Sequence, residues 1–210
     1  MTRSAIAAAL LFACAPTFAT TYSLEPNYTQ AVVQWNHLGF STPSATLGQG
    51  TGTIEFDQAD PTKSSIAITI PLSSLNTSVP ELDEHLRSAD FFDATKFPTA
   101  AFVSTKIEKN GAANHFNVTG DLALHGVTKP VTLAVTLVRI GVNPRSNLPT
   151  IGFVASTTLT RSEFGLGKFV PQVSDAIPLH VIAQAVDAKA LADYEKAEAE
   201  AEKTSTAKKE

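Results

Sequence analysis

Between Thr21 and Asp187 the chain alternates apolar residues with small or polar ones at a period of two. The clearest run is Asp121 to Leu137. Leu122 and Leu124 precede a turn at Gly126, and Val131, Leu133, Val135 and Leu137 follow it. Such alternation fits strands with one apolar and one wet face. Pro130 opens the second arm, where a missing N–H costs least. Ile66, Ile68, Ile70 and Leu72 repeat the pattern, and Ile151, Phe153, Ala155, Thr157 and Leu159 repeat it more weakly. The pattern predicts strands over 21–25, 29–37, 51–57, 64–71, 99–107, 115–124, 128–139, 151–160 and 177–187. Asp60-Pro-Thr, Asn110-Gly, Gly126 and Asn143-Pro-Arg-Ser-Asn supply the turns.

Two segments depart from this rhythm. From Ser78 to Thr95, Leu82, Leu86 and Ala89 are spaced four and then three apart, and Glu81, Asp83 and Glu84 cluster early. Acids there suit a helix dipole, so a helix of about two to three turns is expected after Pro80. Residues 188–210 are rich in alanine, lysine and acids, with only Leu191 and Tyr194 as larger apolar groups. That composition predicts a helix with nothing to pack against, or a frayed tail. A docking helix for an unknown partner is the alternative, since Leu191 and Tyr194 share one face.

The N-terminus reads as an address. Arg3, the apolar run from Ala5 to Ala13 and the small residues around Thr17-Phe-Ala19 resemble a secretory signal, too short to span a bilayer. Residues 1–19 are therefore expected to be a signal peptide, 20–187 a β-domain and 188–210 a charged tail, with the mature protein in the periplasm. A buried N-terminal helix is the competing reading. Cys14, the only cysteine, lies inside this segment, and the bulky Phe12 argues against lipid anchoring there. The mature chain then has no disulfide. A net charge of −4 disfavours nucleic acid as a partner.

Regularly spaced strands without disulfides suggest a sandwich or a closed barrel. An eight-stranded barrel either fills itself with side chains or holds one small ligand, and composition leaves both open. The five histidines, His37, His85, His115, His125 and His180, show no close metal-ligand spacing, so neither a metal site nor a cofactor is expected. His37 and His180 alternate with apolar neighbours and could point inward, whereas His125 is expected to be solvated or bonded locally. There is no Gly-x-Ser-x-Gly and no Gly-rich phosphate loop, so a non-enzyme is the first reading.

Several words, in order and spacing, resemble the YceI-like family. They are Tyr22-Ser-Leu-Glu-Pro26, His37-Leu-Gly-Phe40, His85-Leu-Arg-Ser-Ala-Asp-Phe-Phe92, Lys96-Phe-Pro98, Gly120-Asp-Leu-Ala-Leu-His-Gly-Val-Thr-Lys-Pro130 and Arg161-Ser-Glu-Phe-Gly165. The resemblance implies an all-β fold: an extended eight-stranded antiparallel lipocalin-like barrel with one short helix. It further implies a tunnel that binds, carries or stores a long isoprenoid or similar amphiphile.

On that basis Val33, Trp35, Phe40, Leu47, Ile54, Phe56 and Ile68 are expected to line the tunnel. Ile70, Phe102, Leu122, Leu133, Val135 and Phe153 complete the lining. His37, Arg87 and Arg161 are candidates for the headgroup, because a guanidinium fork matches phosphate or carbonyl oxygens. Helical ion pairing of Arg87 with Asp83 or Asp90 competes with that role. Leu47 and Gly50 stand where the family often carries aromatics, which should widen or reshape the tunnel. An enzyme acting on such a lipid, and a ligand-free stress-response module, are the alternative functions; a homodimer stays open.

Overall fold

The computed structural model describes residues 19–207. The expected signal segment, with Cys14, lies outside the described residues apart from Ala19. Ten strands are present: β1 Thr20–Leu24, β2 Gln30–Gln34, β3 Ser44–Leu47, β4 Thr51–Phe56, β5 Ser65–Pro71, β6 Thr99–Lys109, β7 His115–Leu124, β8 Val127–Val142, β9 Pro149–Thr160 and β10 Ala176–Asp187. All pair antiparallel, and β1 closes the sheet onto β10.

The ten strands fill eight barrel positions. β1 and β2 follow one another along the same flank of β10, with Tyr22 opposite Asp187 and Val33 opposite Leu179. A short 3-10 turn at Pro26–Tyr28 separates them. β3 pairs with β2, and β4 with β1 and β5. The alternation predicts separate strands over 21–25 and 29–37, where β1 and β2 lie, but it misses β3, although Ser44 to Leu47 alternates exposed and buried in the expected way. Four residues are too few to stand out against neighbouring glycines.

Two bulges keep the inner face apolar. The β6–β7 register shifts between Ser104 and Lys106, so Phe102 and Ile107 both pack inside although their numbers differ in parity. The β8–β9 register shifts between Leu137 and Arg139, after which Ile140 takes over from Leu137. One extra residue in a strand turns the following side chains to the other face.

The hairpin word has a plain local cause. His125 and Gly126 both have positive φ, at 52° and 74°, the backbone of a tight two-residue turn that matches strand twist. A Cβ on Gly126 would lie 2.5 Å from the Phe97 ring, so the position is closed to other residues on two grounds.

Helix α1, Pro80–Arg87, begins with Pro80 at its first position and Glu81 and Asp83 in its first turn. Thr77 donates to the Asp83 carboxylate from its hydroxyl at 2.6 Å and its amide at 2.7 Å. The hydroxyl bond is the main reason that this carboxyl is held below its ordinary pKa. Helix α2, Ala188–Ala207, starts with the Ala190 amide donating to Asp187 at 2.9 Å and is exposed beyond Leu191 as far as Thr204. Removing residues 188–210 should therefore shift the thermal midpoint by less than about 3 °C, the scale of one kcal/mol in a chain of this size. Differential scanning calorimetry checks this, and a larger fall would mean that the helix supports the barrel.

Candidate functional site

The barrel interior is divided. One end is solid: Tyr22, Ile54, Phe56, Val118, Val135 and Ile151 are all at most 6% exposed and pack into one cluster. Tyr22, Phe56 and Phe153 meet edge to face, with centroids 6.5 and 6.4 Å apart. The other end holds a cavity of about 350 Å³. Its depth can be read along β2 and the residues after it. Ala31 is buried, Val33 and Trp35 are half-buried, and His37 is exposed.

Val33, Trp35, Leu47 and Ile68 lie in the cavity wall, as do Ile70, Phe102, Leu122 and Leu133. Five other residues expected there do not. Ile54, Phe56, Val135 and Phe153 are on the inner face but belong to the solid end, where neighbouring side chains fill the space. Phe40 is 92% exposed. Leu38 and Gly39 turn the chain with positive φ, and Phe40 follows in the β2–β3 connection with its amide on the His37 carbonyl at 3.1 Å, outside the barrel.

The expected widening at Gly50 is also corrected. A Cβ there would lie 2.7 Å from Thr29 and 3.4 Å from Ile70, so those side chains already occupy the vacated space. Leu47 does face the cavity, at 8% exposure.

Alternation could not reveal the wall built by irregular segments. Leu82 and Leu86, one helical turn apart on α1, face the cavity with Phe91 and Phe92. From the connection between β9 and β10 come Phe164, Leu166, Phe169 and Val173. On β10, Ile177, Leu179 and Val181 do follow the period-two signal and were legible in principle.

Arg161 holds that β9–β10 connection in shape. Its Nε donates to the Ser174 carbonyl at 2.8 Å, Nη2 to Val173 at 3.0 Å, and Nη1 to Lys168 at 2.9 Å and to Leu166. Burial pulls this guanidinium below its ordinary pKa, against the opposing charge of Asp175. Asp175 accepts from the Ser162 hydroxyl at 2.6 Å and amide at 2.8 Å, and those bonds lower its own pKa. Arg161 borders the cavity, but its donors bind main chain, so its role as a headgroup ligand is not supported. Arg87 is not in the wall at all: its Nη1 donates to the Leu75 carbonyl at 2.8 Å. Nor does Arg87 form the helical ion pairs considered for it, because Thr77 engages Asp83 and Lys168 engages Asp90.

The polar side chains at the mouth are His37, His85 and Lys168. Lys168 Nζ lies 3.0 Å from Asp90 and 5.5 Å from the Phe169 ring centroid. The hydrogen bond from Lys168, and then its charge, keep the Asp90 carboxyl below its ordinary pKa. His85 meets Phe91 edge to face at 5.0 Å. Of the other histidines, His180 points to solvent, and His115 is exposed and bonded to Thr136 at 3.0 Å. His125 is half-buried, and its bond is not local. Its Nδ1 lies 3.0 Å from the Phe164 carbonyl, and its ring packs on Phe97. Three of the sequence words, around Phe97, His125-Gly126 and Phe164-Gly165, thus meet at one corner. Among the described residues no three His, Cys, Asp or Glu side chains gather as metal ligands, and no helix is long and apolar enough to cross a membrane.

Known proteins share this architecture. Protein YceI of Shigella flexneri is 34% identical over 184 residues, covering 87% of this chain and 95% of that protein. The crystal structure of Burkholderia cenocepacia BcnA superposes with a TM-score of 0.66 at 24% identity, covering 75% of this chain and 96% of the other. A polyisoprenoid binding domain from Saccharophagus degradans, implicated in plant cell wall breakdown, superposes with a TM-score of 0.60 at 14% identity, covering 81% and 99%. The profile of the YceI-like domain matches residues 22–185, nearly the whole barrel, and the chain belongs to that family.

Proposed function

We propose that this protein is a periplasmic carrier or store for an amphiphile of the isoprenoid class, which it binds without altering chemically. The observation that carries the reading is the cavity: about 350 Å³, walled almost wholly by aliphatic and aromatic side chains, with polar groups only toward its mouth. Filling it with an apolar chain removes surface from water at roughly 25 cal/mol per Å². Its volume falls at the small end of the range typical of ligand pockets, about 300–1,000 Å³. The barrel shared with a polyisoprenoid binding domain supports the ligand class. The signal-like residues 1–19 support the compartment.

In this reading the apolar chain enters first and the headgroup stays at the mouth, beside His37, His85 and Lys168. A phosphate, hydroxyl or quinone oxygen there can take a hydrogen bond without leaving water. The half-buried guanidinium of Arg161 acts indirectly, by fixing the wall.

Mass spectrometry of organic extracts from the exported protein tests the proposal. An isoprenoid at near-stoichiometric yield is expected, on a chain that begins within two residues of Thr20. A dry barrel, or turnover of the lipid on incubation, would overturn the carrier reading; an exported chain with Met1 intact would overturn the address.

A further inference from the structure

The cavity has a floor where it meets the solid cluster, and of the buried residues of that cluster Phe102 alone lines the cavity. Phe102 belongs both to the cavity wall and to the solid cluster, and is 9% exposed. Its ring reaches across the neighbouring strand at Gly120. A Cβ there would lie 2.5 Å from the ring Cζ and 2.8 Å from Cε2. The missing side chain of Gly120 is what lets the ring lie over β7. Val118 and Ile54, both 2% exposed, belong with Phe102 to the solid cluster. Ile68 and Leu122, the residues paired with Phe102 on the flanking strands, complete the floor.

The length of the cavity follows from its lining along β2 and the residues after it, Ala31, Val33, Trp35 and His37. Ala31 to His37 is six steps of chain, roughly 20 Å at about 3.3 Å per residue. A strand tilt of about 40° reduces that to about 15 Å along the barrel axis. An extended carbon chain advances about 1.25 Å per bond, given bonds near 1.5 Å and angles near 111°. The space therefore takes about twelve bonds of main chain, or three isoprene units; modest coiling admits a fourth.

We infer that Phe102 is a specificity-determining residue that limits the bound chain to about three to four isoprene units, so that the cavity is matched to a C15–C20 prenyl group rather than to a long polyprenyl. This rests on the proposed isoprenoid binding and adds a length limit to it. A longer chain must leave its excess at the mouth, where it gains little from burial.

Trp35, the only tryptophan, lines the cavity and reports occupancy by its fluorescence. The full mature protein, stripped of lipid, is titrated with prenyl alcohols of C10, C15, C20, C25 and C30 delivered from cyclodextrin. Affinity should rise at least about tenfold per isoprene unit up to C15–C20, since each buried methylene contributes several-fold. Beyond that it should change less than about threefold. Phe102→Ala should move the plateau out by one unit, and Phe102→Leu, the milder change, by part of one if the alanine variant does not fold. Affinity that keeps climbing beyond C20, or a plateau unmoved in a folded Phe102 variant, would overturn the length limit while leaving isoprenoid binding intact. No binding at any length would overturn both.

Discussion

Arginine at position 135 should unfold the barrel, whereas arginine at position 133 should leave it folded and empty of ligand. The two residues are one strand repeat apart on the same inner face of β8, yet their surroundings differ. Val135 is 6% exposed within the solid cluster, and Leu133 is half-buried on the cavity wall. At 135 a guanidinium would be surrounded by apolar side chains. An uncompensated buried charge costs about 3–5 kcal/mol, and loss of the packed valine adds about 1.5 kcal/mol or more. Against a typical domain stability of about 5–15 kcal/mol, that removes a third of the total or all of it. At 133 the cavity has room for the charged group and its waters, so the fold survives while an apolar chain is repelled. Circular dichroism and extractable lipid distinguish the two. A folded Leu133→Arg protein with undiminished lipid, or a Val135→Arg protein of normal stability, would show that the boundary between cavity and core is misplaced.

Removal of the Arg161 side chain should cost about 3 kcal/mol and also abolish binding. Its four bonds to main-chain carbonyls tie residues 166–174 into one piece, and that piece supplies Leu166, Lys168, Phe169 and Val173 to the wall. Hydrogen bonds from a charged donor contribute about 1.5–3 kcal/mol each, and carbonyls left without a partner add a penalty where water cannot reach them. Solvent access at the open side keeps the expected total well below the sum. Lysine should recover little, because a single ammonium cannot reproduce the planar fork. Chemical denaturation of Arg161→Ala, with hydrogen exchange at the Val173 amide that bonds the Phe169 carbonyl at 2.8 Å, measures both effects. Unchanged exchange at Val173 would mean that the connection holds its shape without the guanidinium.

What could be read from the sequence follows from what generates a period. The inner faces of β5, β7 and β8 alternate because one side meets the interior and the other water, so Ile68, Leu122 and Leu133 were assigned correctly to the inside. The same signal is blind to position along the barrel axis. Val135 alternates as Leu133 does, and only tertiary packing makes one core and the other wall. Phe40 shows a second limit. Two positive-φ residues shift the phase of the chain just before it, and an aromatic residue in a strand-like context ends outside. Arg161 was singled out for its charge, as a headgroup candidate. Its partners, however, are carbonyls, which no side-chain pattern encodes. The spacing of Leu82 and Leu86 puts them on one face of α1 but does not say what that face covers, and the β9–β10 connection carries no periodicity at all.

The pairing of Tyr22 with Asp187 places the first and last strands of the barrel side by side at its sealed end. Both polypeptide leads therefore depart from the pole opposite the opening, about 25 Å away along the axis by strand rise and tilt. A linker, label or solid support attached through either lead would present the aperture outward, toward whatever delivers or receives the guest. Orientation on a surface is thus settled by where the sheet closes, without any dedicated anchoring element.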